Sequence, residues 1–302
     1  MRDDQRHPSL SRAQPLAQRR LDRLDHLERD HYGTTAIQEV HVRTALQPFM
    51  DGDAWSLNPY LGCAHRCTYC YVPDTIQAER HRWGRYVLVK RNIATVLAHE
   101  LAKKPRRRVI LSTGTDPHQP VEAEHRLTRA CLDRLARRQW PVDVLTRSPL
   151  ILRDVDLLAE TDHRVGLSVP TMDDAARAVI EPAAPPIDAR LEALRKLADG
   201  GLRTYANLAP AYPMSNGYTP DDVAQTFAAT GVQWVNFSPW RRRRSILPAV
   251  AARTTGTPFD GLARIVATDE EQAALEVAMQ DAFDAIGLPL YRGFFNPPER
   301  PS

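Results

Sequence analysis

The sequence predicts an α/β protein built as a partial (β/α)6 barrel, on three observations. From about residue 55 onward, short β-rich apolar runs alternate with amphipathic helices, the order that yields a parallel sheet with helical crossovers. Counting one strand ahead of Cys63, about six such units follow, which suits an incomplete barrel rather than the closed eight-unit form. The chain has 302 residues, 43% hydrophobic and 25% charged, ample for one large core with small extensions.

Each element has a local reason. Val109-Ile-Leu-Ser112 is β-rich and precedes a helix expected over Glu124 to Arg138. Val142 to Thr146 is the next strand, after which Ser148-Pro149 supplies an N-cap and a proline at the first position of a helix reaching Glu160. Val165 to Val169 follows as a strand. Asp188 to Asp199 is a strongly periodic helix stopped by Gly200-Gly201. Next come a strand from Arg203 to Leu208, a helix opened by Thr219-Pro220-Asp221-Asp222, and a strand from Val232 to Phe237. Thr268-Asp-Glu-Glu271 has the spacing of a capping box for the last long helix, which Gly287 ends before Pro289. Glu181 to Pro186 is a Pro/Ala-rich link. The expected organisation is an extension over 1–50, partly helical (Leu16 to Arg29) or flexible, the barrel over 51–245, and a C-terminal helix and tail over 246–302, with Asn296 to Ser302 disordered.

Composition excludes several classes. No apolar run approaches the ~20 residues of a membrane span. Met1-Arg-Asp-Asp-Gln-Arg-His7 lacks the apolar stretch of a secretory signal, and three closely spaced thiols form no even disulfide framework. A cytoplasmic protein with no membrane partner is expected. The net charge of +3 is too small to prove an anionic partner, so the distribution matters more, with basic runs at Lys103 to Arg108 and Arg241 to Arg244.

The sharpest signal is Cys63, Cys67 and Cys70, within Asn58-Pro-Tyr-Leu-Gly-Cys-Ala-His-Arg-Cys-Thr-Tyr-Cys-Tyr71. A C-x3-C-x2-C loop can deliver three thiolates to three corners of a cubane [4Fe–4S] cluster and leave the fourth iron open to a small molecule. A structural zinc site instead needs four ligands. His65, inside the same loop, would make a cramped fourth, and Cys131 shares a helical stripe with Leu127 and Leu135, where a cysteine is usually core. A non-catalytic iron–sulfur or zinc protein that binds nucleic acid is the alternative reading.

Reactive groups of a β/α barrel lie on loops at the C-terminal ends of its strands. The cysteine loop follows the first strand, and Thr113 to Glu122 follows the second. There Gly114 permits close backbone approach, and Asp116 and His118 offer charge and hydrogen bonds, although Asp116-Pro117 also suits a stiff turn. Arg147 ends the third strand, where a guanidinium can hold a carboxylate in bidentate geometry. A hydroxyl at Ser168, near the end of the fourth, can hold a ribose, whereas Ser148 reads as a helix cap. Asn207, near the end of the fifth, could meet an adenine or carboxylate edge, or satisfy backbone groups. Arg241 to Arg244 follow the sixth strand and Pro239-Trp240, placing arginines for phosphates beside an aromatic for base stacking. Asp116, His118, Trp240, Arg241 and Arg242 are therefore the substrate candidates. Lys103 to Arg108 precede the second strand and read as solvated surface.

These residues resemble the spore photoproduct lyase-like branch of the radical S-adenosylmethionine (SAM) superfamily, proteins often labelled DNA-repair photolyases. The likeness rests on Asn58 through Tyr71, Thr115-Asp-Pro-His-Gln-Pro-x-Glu122, Leu127-Thr-Arg-x-Cys131-Leu, Thr146-Arg-Ser148, Leu150 to Leu158, and Glu181-Pro-x-x-Pro185 with Arg190-Leu-Glu-Ala193. It implies a [4Fe–4S] cluster on Cys63, Cys67 and Cys70, with SAM on the fourth iron. It also implies a reductant such as flavodoxin or ferredoxin. The reduced cluster would split the C5′–S bond of SAM, and the 5′-deoxyadenosyl radical would abstract hydrogen from an unidentified substrate, nucleic acid being one option. By similarity Tyr69, Gly114, Arg147, Ser168 and Asn207 line the SAM pocket, Arg147 standing where members often carry lysine. One departure limits the transfer. Spore photoproduct lyases carry an extra cysteine after the second strand that returns a hydrogen atom to the product radical; Thr113 occupies that position here, and a hydroxyl is a poor hydrogen-atom donor. Thymine-dimer reversal therefore does not transfer with the resemblance.

Overall fold

A computed structural model describes residues 35–49, 52–212, 217–240 and 243–293. The expected helix from Leu16 to Arg29, the tail from Asn296, and Arg241 and Arg242 lie outside the described residues. The chain separates into two compact units. The first contains the described residues up to Arg66, residues 70–143 and residues 160–162; the second contains 67–69, 144–159 and the remainder from His163.

In the first unit β1 (Ala36–Val40), β2 (Leu46–Phe49), β3 (Ala54–Leu57) and β4 (Tyr60–Leu61) precede the cysteines. Helix α1 (Val72–Ile76), β5 (Tyr86–Lys90), α2 (Ile93–Leu101), β6 (Arg108–Leu111), α3 (Glu122–His125), α4 (Leu127–Arg137) and the start of β7 (Val142–Thr146) follow. Strand β5 lies between β1, parallel, and β4, antiparallel. Its first four residues, Tyr86-Val-Leu-Val89, are all buried, which explains a continuous apolar run instead of an alternating one. Strand β3 pairs antiparallel with β2 and parallel with β6, Trp55 standing opposite Val109.

Two expectations change in this unit. The extension read as helical or flexible carries β1 and β2, because Ala36-Ile-Gln-Glu-Val40 finds its partner fifty residues away in β5. The single helix expected from Glu124 is two helices, broken where Arg126 takes left-handed backbone (φ 50°). Glu122 stabilises the break: its carboxylate accepts from the backbone N–H of Thr128 (2.9 Å) and Arg129 (3.2 Å), capping the first turn of α4.

In the second unit Ser148 caps a 3-10 turn over Pro149–Asp154, its Oγ accepting from Leu150 N–H at 3.3 Å. Then come α5 (Val155–Ala159), β8 (His163–Ser168), α6 (Asp174–Ile180), α7 (Ile187–Asp199), β9 (Thr204–Leu208), α8 (Pro220–Ala228) and β10 (Trp234–Phe237). Helices α9 (Arg243–Thr254), α10 (Leu262–Ile265) and α11 (Asp269–Ala285) lead to β11 (Leu290–Arg292). Strands β8, β9, β10 and β11 pair in that order, all parallel, so Ser168 faces Asn207 across the ladder. Gly166 leaves room for Tyr205, which a Cβ would approach to 2.4 Å; Tyr205 in turn stacks on Trp234 with ring centroids 5.0 Å apart. Thr219 and Asp222 form a reciprocal capping box at α8. Thr268 does not form the expected one, because its hydroxyl turns back to Ile265 O at 3.3 Å. The C-terminal region, expected as one helix and a tail, contains three helices and a strand among the described residues. Among these residues no helix is long and apolar enough to cross a membrane.

Candidate active site

In the first unit the cysteine segment is entered through Gly62 (φ 90°), where a Cβ would come 2.2 Å from the Tyr86 carbonyl oxygen. Only glycine permits that approach to β5 immediately before Cys63. Cys63 and Cys70 are half-buried and pack against Val40, Val72, Trp83, Tyr86 and Leu88. Polar contacts hold the backbone around them. Gln119 Oε1 accepts from Ala64 N–H (2.9 Å), Thr115 Oγ1 donates to Gly62 O (2.7 Å), and Arg80 donates to Cys70 O (2.8 Å).

The loop after β6 belongs to the same network. Asn58 Oδ1 accepts from Gly114 N–H (2.9 Å), and Asn58 Nδ2 donates to Ser56 Oγ (2.9 Å), which lies 2.6 Å from Thr113 Oγ1. Tyr71 donates to Thr113 O at 2.7 Å. Lys90 Nζ donates to Asn58 O at 2.7 Å. Burial pulls the Lys90 ammonium down to about 8, the Cys131 sulfur opposing it. Asp116 accepts from His118 N–H (2.9 Å) and lies 3.4 Å from His65 Nε2. Asp116 and His118 are 3% and 0% exposed and lie inside the first unit, where the Asp116 carboxylate holds the turn through the His118 backbone N–H. Cys131 is fully buried; burial, then the Glu122 carboxylate, pushes its thiol far above its ordinary value. A thiol kept protonated is a poor ligand, which suits a core role. Glu122 also accepts from Tyr60 OH.

In the second unit Thr68 docks through its backbone N–H (2.9 Å) and hydroxyl (2.7 Å) onto Ile180 O. The next residue, Glu181, is the hub. Its Oε1 accepts from the Tyr69 hydroxyl and from Arg147 Nε (3.1 Å), and lies 4.0 Å from Cys67 Sγ. Its Oε2 accepts from Arg190 at 2.6 Å, both side chains being fully buried. Burial alone would raise the Glu181 carboxyl, but Arg190 and then Arg147 outweigh it and hold the group at about 2. Arg147 also donates to the Tyr69 oxygen at 3.0 Å, its guanidinium 5.8 Å from the ring centroid. The carboxylate that Arg147 meets here is thus the protein's own.

Ser168 and Asn207 are both 1% exposed. Arg190 donates to Ser168 O (3.0 Å), and Asn207 Nδ2 donates to Ser168 Oγ (3.3 Å). Asn207 Oδ1 is a buried acceptor with no donor among the described residues. Trp240, expected as a stacking platform, is 3% exposed and already packed edge-on to Tyr69 (5.4 Å, 79°) and tilted against Tyr212 (5.6 Å, 40°). Its rings are committed to that cluster because Pro239-Trp240 turns inward after β10, with Trp240 N–H bonded to Gln272. Sequence reasoning missed Glu181, Arg190, Asn58 and Tyr212. A signal existed for the first two, an acid and an arginine nine positions apart around a proline-rich link; Tyr212 offered none.

The donor set fits the implied groups. Three half-buried thiols contrast with the sealed Cys131. Among the described residues no three His, Cys, Asp or Glu side chains converge as a single metal ion requires. A cubane needs no such convergence, since each sulfur binds a different iron. The unsatisfied Asn207 Oδ1 would suit the amino group of an adenine.

Comparison with known proteins covers both units. The radical SAM superfamily sequence model matches residues 57–230. An uncharacterized protein of Methanocaldococcus jannaschii is 30% identical over 180 residues, 59% of this chain and 68% of that one. An uncharacterized protein of Mycobacterium tuberculosis is 31% identical over 215 residues, 66% of this chain, which spans 63% of that relative's length. Among solved structures, a spore photoproduct lyase mutant with bound AdoMet and dinucleoside spore photoproduct superposes with a TM-score of 0.64 at 18% identity, over 88% of this chain and 83% of that one. At that identity the likeness is one of fold.

Proposed function

Because the chain belongs to the radical SAM superfamily, we propose that it is a radical SAM enzyme whose Cys63, Cys67 and Cys70 hold a [4Fe–4S] cluster. The observation that supports this most is the set of three half-buried thiols at C-x3-C-x2-C spacing, beside a fourth cysteine sealed in the core. When bound, the cluster and SAM supply reductive cleavage to a 5′-deoxyadenosyl radical that abstracts hydrogen from substrate.

The chain's own residues bind and orient. Asn207 Oδ1 accepts from the adenine amino group, Ser168 meets the ribose, and Gly114 lets the backbone approach the ligand. Tyr69 and Arg147, both held by Glu181, border the methionyl end as a fixed wall rather than as the counter-ion of its carboxylate. Asp116 and His118 act through the turn they hold. The family uses SAM and a reductant; flavodoxin or ferredoxin in a reducing cytoplasm would serve. For the substrate, the arginines that follow β10 favour a nucleic-acid-linked molecule. Thr113 in place of a cysteine makes a thiol-mediated return of hydrogen at that position unavailable.

Anaerobic reconstitution followed by reduction with dithionite tests the reading. Four irons per chain and 5′-deoxyadenosine from SAM are expected. Stoichiometric zinc with no 5′-deoxyadenosine would refute it. For the substrate class, binding of single-stranded DNA or RNA should fall steeply with salt and weaken on replacing Arg241 and Arg242 by alanine; absent or salt-insensitive binding would count against this class, and binding unchanged by the substitutions would remove the two arginines as its contact.

A further inference from the structure

Each unit contains a buried phenol with no hydrogen-bond partner, beside one of the motif cysteines. In the first, Tyr86 is 2% exposed and lies edge-on to Trp83 at 6.1 Å, in the same apolar cluster as Cys63 and Cys70. Its hydroxyl has no partner among the described residues. In the second, Tyr212 is 1% exposed, packed with Tyr69 and Trp240 in the cluster that Cys67 joins, and its hydroxyl is likewise unpaired.

A buried hydroxyl without an acceptor destabilises the fold, and a phenylalanine would fill the same space without that cost. Both are phenols, protonated at neutral pH, and are therefore donors. The neighbours common to both are apolar side chains and sulfur. A neutral thiol is a weak acceptor, but an iron-bound thiolate carries charge and accepts well.

We propose that Tyr86 and Tyr212 donate hydrogen bonds to the cluster's sulfur at Cys70 and Cys67, and so set how easily the cluster is reduced. This rests on the proposed cluster. Donors to sulfur favour the more negatively charged, reduced form. Removing one should therefore make reduction harder. No proton is transferred and no bond is broken.

Tyr86→Phe and Tyr212→Phe, separately and together, test the idea in the reconstituted full chain. Iron and sulfide content should be unchanged. In potentiometric titration followed by electron paramagnetic resonance, each substitution should shift the reduction equilibrium towards the oxidised form by roughly threefold to tenfold, tenfold being about 59 mV for one electron. The shift of the iron–sulfur stretching bands in heavy water, read by resonance Raman, should shrink with each substitution. A normal cluster with unmoved potential and unmoved bands overturns this proposal alone. A phenylalanine variant that loses its iron assigns that hydroxyl to the fold and overturns the proposal at that position. A wild-type chain that assembles no four-iron cluster overturns both this and the proposed function.

Discussion

Replacing Glu181 by glutamine removes one charge and leaves the fully buried Arg190 guanidinium without its counter-ion. The amide of the variant would also turn a donor towards the donors of Arg147 or Arg190. Breaking a buried pair from one side costs about 3–5 kcal/mol, mostly because the surviving charge stays desolvated. At roughly 2 °C per kcal/mol for a chain of this size, Tm should fall by roughly 6–10 °C. The assay is thermal unfolding of the anaerobically prepared full chain, followed by circular dichroism. The pairing has its own pH signature. Glu181 is held at about 2, below the ordinary carboxylate value near ~4.3, so its stabilisation is complete above ~4.3 and is lost as pH falls towards about 2. The glutamine variant should lack that contribution to the acid limb. Adding Arg190→Met to the variant should cost far less than adding it to the wild type, because in the variant it removes the stranded guanidinium, whereas in the wild type it strands the Glu181 carboxylate. A fall in Tm under about 2 °C, or strictly additive substitutions, would refute the idea that one carboxylate organises this region.

Three further outcomes follow from the geometry. Gly62→Ala forces a Cβ to within 2.2 Å of a backbone oxygen at φ 90°; left-handed backbone alone costs about 1–2 kcal/mol. Lower Tm and lower iron uptake are expected, and wild-type values for both would show that this approach to β5 is dispensable. Iron assays after anaerobic reconstitution should find the four-iron cluster lost in Cys63→Ala, Cys67→Ala and Cys70→Ala but retained in Cys131→Ala; loss in the last would make Cys131 a ligand. Tyr60→Phe leaves the buried Glu122 carboxylate short of a donor and should cost about 1–3 kcal/mol in chemical denaturation, whereas a neutral result would mean that solvent replaces the phenol.

Local chemistry made part of this molecule readable from its residues. Val142 to Thr146 is a strand with the expected bounds because its β-rich run lies between Pro141 and the Ser148-Pro149 cap. Thr219-Pro-Asp-Asp222 opens a helix because all three capping contacts are local. Features that depend on distant partners were not readable. Ala36 to Val40 becomes a strand only by pairing with β5. Glu122 looks like an ordinary surface acid of a first turn until Thr128 and Arg129 present their N–H groups to it. Glu181 reads as the start of a loose link, and only Arg190, Arg147 and Tyr69 together give it a role. Trp240 errs the other way: an exposed platform in one dimension, a buried neighbour of two tyrosines in three.

The Arg147 fork has a consequence for how this region can vary. Its Nε reaches Glu181 while a terminal nitrogen reaches the Tyr69 oxygen, a two-handed grip set by the flat guanidinium. An ammonium is a single point on a flexible stem and cannot hold both positions in one fixed arrangement. A chain with lysine at 147 would leave that phenol held by Glu181 alone. Positions 69, 147 and 181 therefore form one three-part latch, in which an exchange at any position changes the contacts of the other two.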